Sequence, residues 1–154
     1  MSHLGSQSKP KLLGVIDRLS EIDGDLYEEW RKLMELRDAV YSLAGATSML
    51  LQAFEVKDEN ERSKIIAKAI ARISMFCRLY EKEEGVVEVG IYPYVLGRIN
   101  FVTGSVEIKP DAPKVVAEIL KSYIDDVMNT IGNIRTLVES ARAALAEVLK
   151  NDEY

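Results

Sequence analysis

Between Leu120 and Val148 apolar residues return every four and three positions without a miss: Leu120, Ile124, Val127, Ile131, Ile134, Val138, Ala141, Leu145 and Val148. A 3.5-residue repeat held over four heptads is the mark of a long helix whose apolar seam needs a partner along its whole length. Asp111 is placed to cap this helix, and prolines at 110 and 113 are tolerated at a first turn. The spacing predicts a helix from Ala112 to Lys150, about 58 Å long at 1.5 Å per residue. Other helices must cover that stripe, from this chain as the simpler account, or from a second copy or an assembly.

The N-terminal half supplies them. Leu12, Val15, Ile16, Leu19 and Ile22 mark one face of a short helix, which Asp23-Gly24-Asp25 is expected to stop. Asp25, with Glu28 three residues on, reads as a capping box opening a second helix to about Phe54. Its expected seam is Leu26, Trp30, Leu33, Arg37, Val40, Ala44, Thr47, Leu51 and Phe54, widened by Leu36, Leu43 and Leu50. Gly45 either breaks this helix or lets a neighbour approach closely, since glycine costs about 1 kcal/mol against alanine there. After the polar turn Lys57-Asp58-Glu59-Asn60, Ile65, Ile66, Ala69, Ile70, Ile73, Phe76, Cys77 and Tyr80 predict a third helix to about Lys82. So short a turn makes it an antiparallel neighbour of the helix before it.

The period then changes from helical to alternating. Val87, Val89 and Ile91 predict a strand, and the segments 98–102 and 105–109 flank Thr103-Gly104 as a hairpin. Two or three antiparallel strands, within about residues 86–109, must pack on the helices or on a partner. The expected fold is therefore mainly α: a bundle of long antiparallel helices with a small antiparallel β-hairpin or meander insert. Residues 1–9 read as a loose tail and 10–154 as one helical-bundle domain.

Composition narrows the function classes. Lys and Arg number 20 against 25 Asp and Glu, a formal net charge of −5, so a uniformly basic nucleic-acid wrapper is not expected. A single cysteine, Cys77, excludes an internal disulfide and points to a reducing compartment; with no membrane span or signal peptide recognised, a cytoplasmic location is expected. Few Gln and Cys with much Ile, Val, Glu and Lys suit a heat-adapted source. The one histidine is His3, in the tail, which removes most His-dependent catalysis and His-based metal motifs. No phosphate-binding glycine loop occurs, Cys77 sits on an apolar face, and Asp125-Asp126 are helix neighbours that diverge. No enzyme activity, cofactor or metal is expected.

Two features remain to carry binding. From Arg62 to Tyr80 there are five basic residues and no acidic one. On a continuous helix Lys64, Lys68, Arg72 and Arg78 would fall within an arc of about 120°, over roughly 21 Å, opposite the isoleucine seam. Such a row either follows a phosphate backbone or is a solvated face paired with the acid-rich stretch from Glu21 to Asp38. The second feature is Tyr92, Tyr94 and Phe101 near Arg98, placed either to stack on bases or a protein partner, or to close one end of the bundle. For Phe101 packing on the bundle is the expectation.

About 150 residues, long helices, a strand insert between Gly85 and Lys109, one basic helix face and no catalytic site together resemble the small subunit of archaeal type I CRISPR surveillance complexes (Cascade). The resemblance is architectural, spans most of the chain and carries over no functional residue. It implies a non-catalytic subunit that steadies a guide–target duplex or displaced strand by backbone contacts, among other protein subunits and RNA or DNA. The rival expectation is a protein-only scaffold or coiled-coil adaptor, such as a homodimer, without nucleic-acid binding.

Overall fold

A computed structural model describes residues 9–151; residues 1–8 and 152–154, and with them His3 and most of the expected tail, lie outside the described residues. The fold is mainly α with a small β insert. Three helices, α1 (Lys9–Glu55), α2 (Glu59–Arg72) and α3 (Ala112–Asn151), accompany strands β1 (Arg78–Glu83), β2 (Val86–Ile91), β3 (Tyr94–Asn100) and β4 (Val106–Ile108). The strands form one antiparallel meander in the order β1-β2-β3-β4. The chain divides into two compact units, residues 37–125 and residues 9–36 with 126–151, and α1 and α3 each contribute to both.

The expected break at Asp23-Gly24-Asp25 does not occur, nor one at Gly45: α1 is a single helix of 47 residues. The reason lies in its seam. Starting at Leu12 and at Val15, every seventh residue as far as Thr47 and Leu50 is buried or half-buried, and the two columns run through residues 23–25 without a change of phase. A helix whose apolar stripe stays in register gains more from continuous packing than Gly24 costs, about 1 kcal/mol. The seam also corrects the predicted one. Leu26, Leu33, Val40 and Thr47 belong to it, but Trp30, Arg37, Ala44, Leu51 and Phe54 are exposed, and Glu29, Leu36, Leu43 and Leu50 take the inward positions. Thr47 is tolerated there because its hydroxyl donates to the Leu43 carbonyl at 2.8 Å.

The same one-residue rotation holds in α3. Leu120, Val127, Ile134, Ala141 and Val148 are half-buried as expected, but their companions are Tyr123, Thr130, Leu137 and Ala144 rather than Ile124, Ile131, Val138 and Leu145, which are exposed. Buried Thr130 is satisfied by donating to the Asp126 carbonyl at 2.8 Å.

In the unit of residues 37–125, α1 and α2 form a hairpin. Asp58 caps α2, accepting from the Asn60 amide, and the Arg62 guanidinium donates twice to the Val56 carbonyl at 3.1 and 2.7 Å, pinning the turn. The core gathers Leu43, Ala46 and Leu50 of α1, Ala69 of α2, Ile73 just after it, Leu96 of β3, and Ala112, Val115 and Val116 of α3. At its margin the rings of Phe76 and Tyr123 meet edge-to-face, centroids 5.6 Å apart. The predicted third helix stops at Arg72, a turn spans residues 73–76, and Arg78–Glu83 is a strand rather than the helix end. Its pairing with β2 through the two-residue turn Glu84-Gly85 explains the switch: Gly85 supplies φ +80°, which only glycine adopts readily. The expected two-residue turn at Thr103-Gly104 is a wider loop over residues 101–105, in which the Asn100 side chain accepts from the Val102 and Thr103 amides.

The unit of residues 9–36 and 126–151 is a pair of helical segments. Glu29, though in the seam, is held by Lys32 at 3.3 Å and accepts from Asn133 of α3 at 3.3 Å. One groove of the pair is lined by Asp25, Glu28 and Lys32 from α1 and Asn133 and Thr136 from α3. Each of these stands one position before a seam residue on its own helix. Right-handed helices place such residues on a common side only when they run antiparallel, so the two segments are antiparallel.

Candidate nucleic-acid interface

Helix α2 buries Ile66 and Ala69 and turns the opposite face outward. Lys64 and Lys68 stand on that face and Arg72 on its flank, where its side chain reaches Gly45 of α1; the three follow at intervals of four, spanning about 12 Å, and all are exposed. Ala67 and Ala71, also exposed, leave the surface beside them low, and exposed Glu61 stands on the same face one turn before Lys64. Among the described residues none of the three forms an ion pair. The acids of α1 that do form ion pairs find bases within α1: Glu28 with Arg31, Glu29 with Lys32 and Asp38 with Arg37. Arg62, the remaining base of this segment, is used by the Val56 carbonyl.

Arg78 does not continue the helical row, because the helix has ended before it. It opens β1, five residues of connection beyond Arg72, exposed and without an ion pair among the described residues. Its place in the sheet gives it other neighbours. Arg78 is paired in register with Gly90, and Gly90 with Val95, so Arg78 stands at the end of the sheet where the Tyr92-Pro93-Tyr94 turn joins β2 to β3. Tyr92 is 81% exposed and Tyr94 48%.

The grouping of these tyrosines with Arg98 is not what the fold makes. Arg98 lies opposite Glu88 in mid-sheet and its guanidinium is 3.6 Å from that carboxylate, which also holds Lys82 at 3.2 Å. Phe101, expected to pack on the bundle, is instead 65% exposed, in the loop that follows β3. The arginine at the tyrosine end is Arg78. The Glu84-Gly85 turn ahead of the alternating Val87, Val89 and Ile91 is the signal that could have found it, since a hairpin turn there needs a strand before it.

Cys77 is half-buried at the edge of the core, and burial pushes its thiol up to about 11, so it is protonated at neutral pH. Among the described residues no group of three or more His, Cys, Asp or Glu side chains is arranged to hold a metal. No described helix is long and apolar enough to cross a membrane. Comparison with family models, with curated proteins and with solved structures finds no match.

Proposed function

We propose that this chain is a non-catalytic helical subunit that holds a nucleic-acid backbone on the outer face of α2. The observation that carries the reading is the row Lys64, Lys68, Arg72, exposed along α2 and in no ion pair among the described residues. Cations not engaged in ion pairs are free to replace the counter-ions of a phosphate chain. Arg78 adds a fourth charge a short connection further on, and Tyr92 and Tyr94 offer two exposed rings at its end of the sheet. A backbone track beside aromatic platforms suits a single strand with unstacked bases. The role implied by resemblance to the small subunit of archaeal type I CRISPR surveillance complexes is of this kind.

The test is a mobility-shift titration on single-stranded and duplex nucleic acid. Lys64→Glu with Lys68→Glu should weaken binding roughly tenfold or more, with the thermal midpoint nearly unchanged, because both residues are exposed and unpaired. Unaltered binding rejects the interface. The second reading, a protein-only scaffold, is favoured by the exposed apolar positions Ile131, Val138 and Leu145; it predicts a defined oligomer that shifts neither nucleic acid.

A further inference from the structure

The antiparallel pair formed by residues 9–36 and 126–151 has two unlike sides. One is the polar groove of Asp25, Glu28 and Lys32 with Asn133 and Thr136. On the other, a groove lies between Tyr27 and Trp30 of α1 and Ile134 of α3. Tyr27 and Trp30 each follow a seam residue by one position. So do Leu13 and Ile16 on α1, and Met128, Ile131, Val138, Leu145 and Leu149 on α3. By the handedness argument that made the pair antiparallel, all of them stand on this second side. They are 38% (Ile131) to 65% (Tyr27 and Leu149) exposed.

We infer that this face docks a second copy of the chain, closing a four-helix bundle. Two observations single out that occupant. The first is area: nine large apolar side chains exposed to this degree present on the order of 900 Å², about the 800 Å² per partner of a stable interface. The second is charge. The charged residues on the face are Asp23 from α1 and Arg135 and Arg142 from α3, and among the described residues none is in an ion pair. Counting outward from the Glu29–Asn133 contact, Asp23 is level with the stretch between Arg135 and Arg142. Leu13 and Ile16 are likewise level with Leu145 and Leu149.

A twofold axis parallel to the helices lays each α1 over the other copy's α3 at the same level. Asp23 then meets Arg135 and Arg142 of the second copy, and leucine meets leucine. A twofold axis across the helices would instead set the arginines against each other. The face is thus self-complementary in one arrangement, with antiparallel neighbours throughout.

The inference does not rest on the nucleic-acid reading, since no residue of α2 takes part. Sedimentation or light scattering on the full chain at micromolar concentration tests it. The expected result is a dimer of 17.3 kDa chains that Trp30→Glu with Ile131→Glu converts to a monomer of unchanged helical content. A monomeric parent, or a dimer indifferent to that pair, overturns the inference. Asp23→Arg alone, and Arg135→Asp with Arg142→Asp alone, should each weaken association about tenfold, and the three together should restore it. Failure of the triple variant to recover overturns the arrangement even if the single changes dissociate the dimer. Lys64→Glu with Lys68→Glu should leave the dimer intact, which keeps this outcome separate from the fate of the nucleic-acid interface.

Discussion

The side chain of Arg72 on α2 lies against the α-carbon of Gly45 on α1, in the space a β-carbon at residue 45 would need. The glycine in the middle of a 47-residue helix is therefore neither a break nor a hinge; it is where the second helix comes close, with the flexible end of an exposed arginine as the contacting group. Gly45→Ala displaces only that guanidinium arm, which has solvent to move into. The gain in helix propensity then prevails, and the variant should be more stable by a few tenths to about 1 kcal/mol in chemical denaturation. A loss above about 1 kcal/mol would mean that Arg72 is fixed more rigidly than its exposure implies.

Leu50 and Leu51 are neighbours with opposite surroundings, fully buried and 56% exposed respectively. Leu50→Ala should cost about 2–5 kcal/mol by cavity formation and lost transfer energy. Leu51→Ala should cost under about 1 kcal/mol, as surface changes do. Equal losses would show that the α1 seam passes through Leu51 instead.

That pair also shows how far the fold was legible beforehand. The existence of long helices, the start of α3 at Ala112 and the helix–sheet–helix order follow from periodicity in the chain alone. Which of two adjacent apolar columns faces inward does not. In α3 the exposed column Ile124, Ile131, Val138 and Leu145 is more apolar than the buried or half-buried column Tyr123, Thr130, Leu137 and Ala144. Hydropathy alone favours the wrong one, since an interface between chains and a core within one chain write the same pattern. In α1 a better signal was present: the columns from Leu12 and Val15 keep one phase to Leu50, which two independent helices have no reason to do. The basic face was half legible. Lys64, Lys68 and Arg72 are where helical spacing puts them, whereas Arg78 was misplaced because Phe76, Cys77 and Tyr80 mimic the helical period across a turn.

Cys77 carries a prediction of its own. Its thiol is pushed up to about 11 by burial, from an ordinary 9.0, so below pH 9 its thiolate fraction is about a hundredfold smaller than in the unfolded chain. Alkylation by iodoacetamide at pH 8 should be slower by about that factor in the native protein than in denaturant. Because the folded state favours the protonated thiol, its contribution to stability is complete below pH 9 and is lost as pH rises from 9 to 11. Native labelling as fast as denatured labelling would contradict this.

Edge strand β1 offers a further check on the sheet. Leu79 and Tyr80 are exposed on a strand with one unpaired side, and Lys82 is held across to Glu88 at 3.2 Å. Leu79→Pro sets a proline, with its fixed φ, in mid-strand opposite Val89 and should loosen β1 from the sheet. Hydrogen exchange resolved to β1 should then rise there first and spare α3.

The central claim is that phosphate is held by Lys64, Lys68, Arg72 and Arg78, and the salt dependence of binding reads it most directly. Four backbone contacts predict a slope of log affinity against log salt of about −3.6 on duplex and about −2.8 on a single strand. With Lys64→Glu and Lys68→Glu together, the slope should fall to roughly half. A slope near zero in the parent protein, or one that the double charge reversal leaves unchanged, would contradict the account.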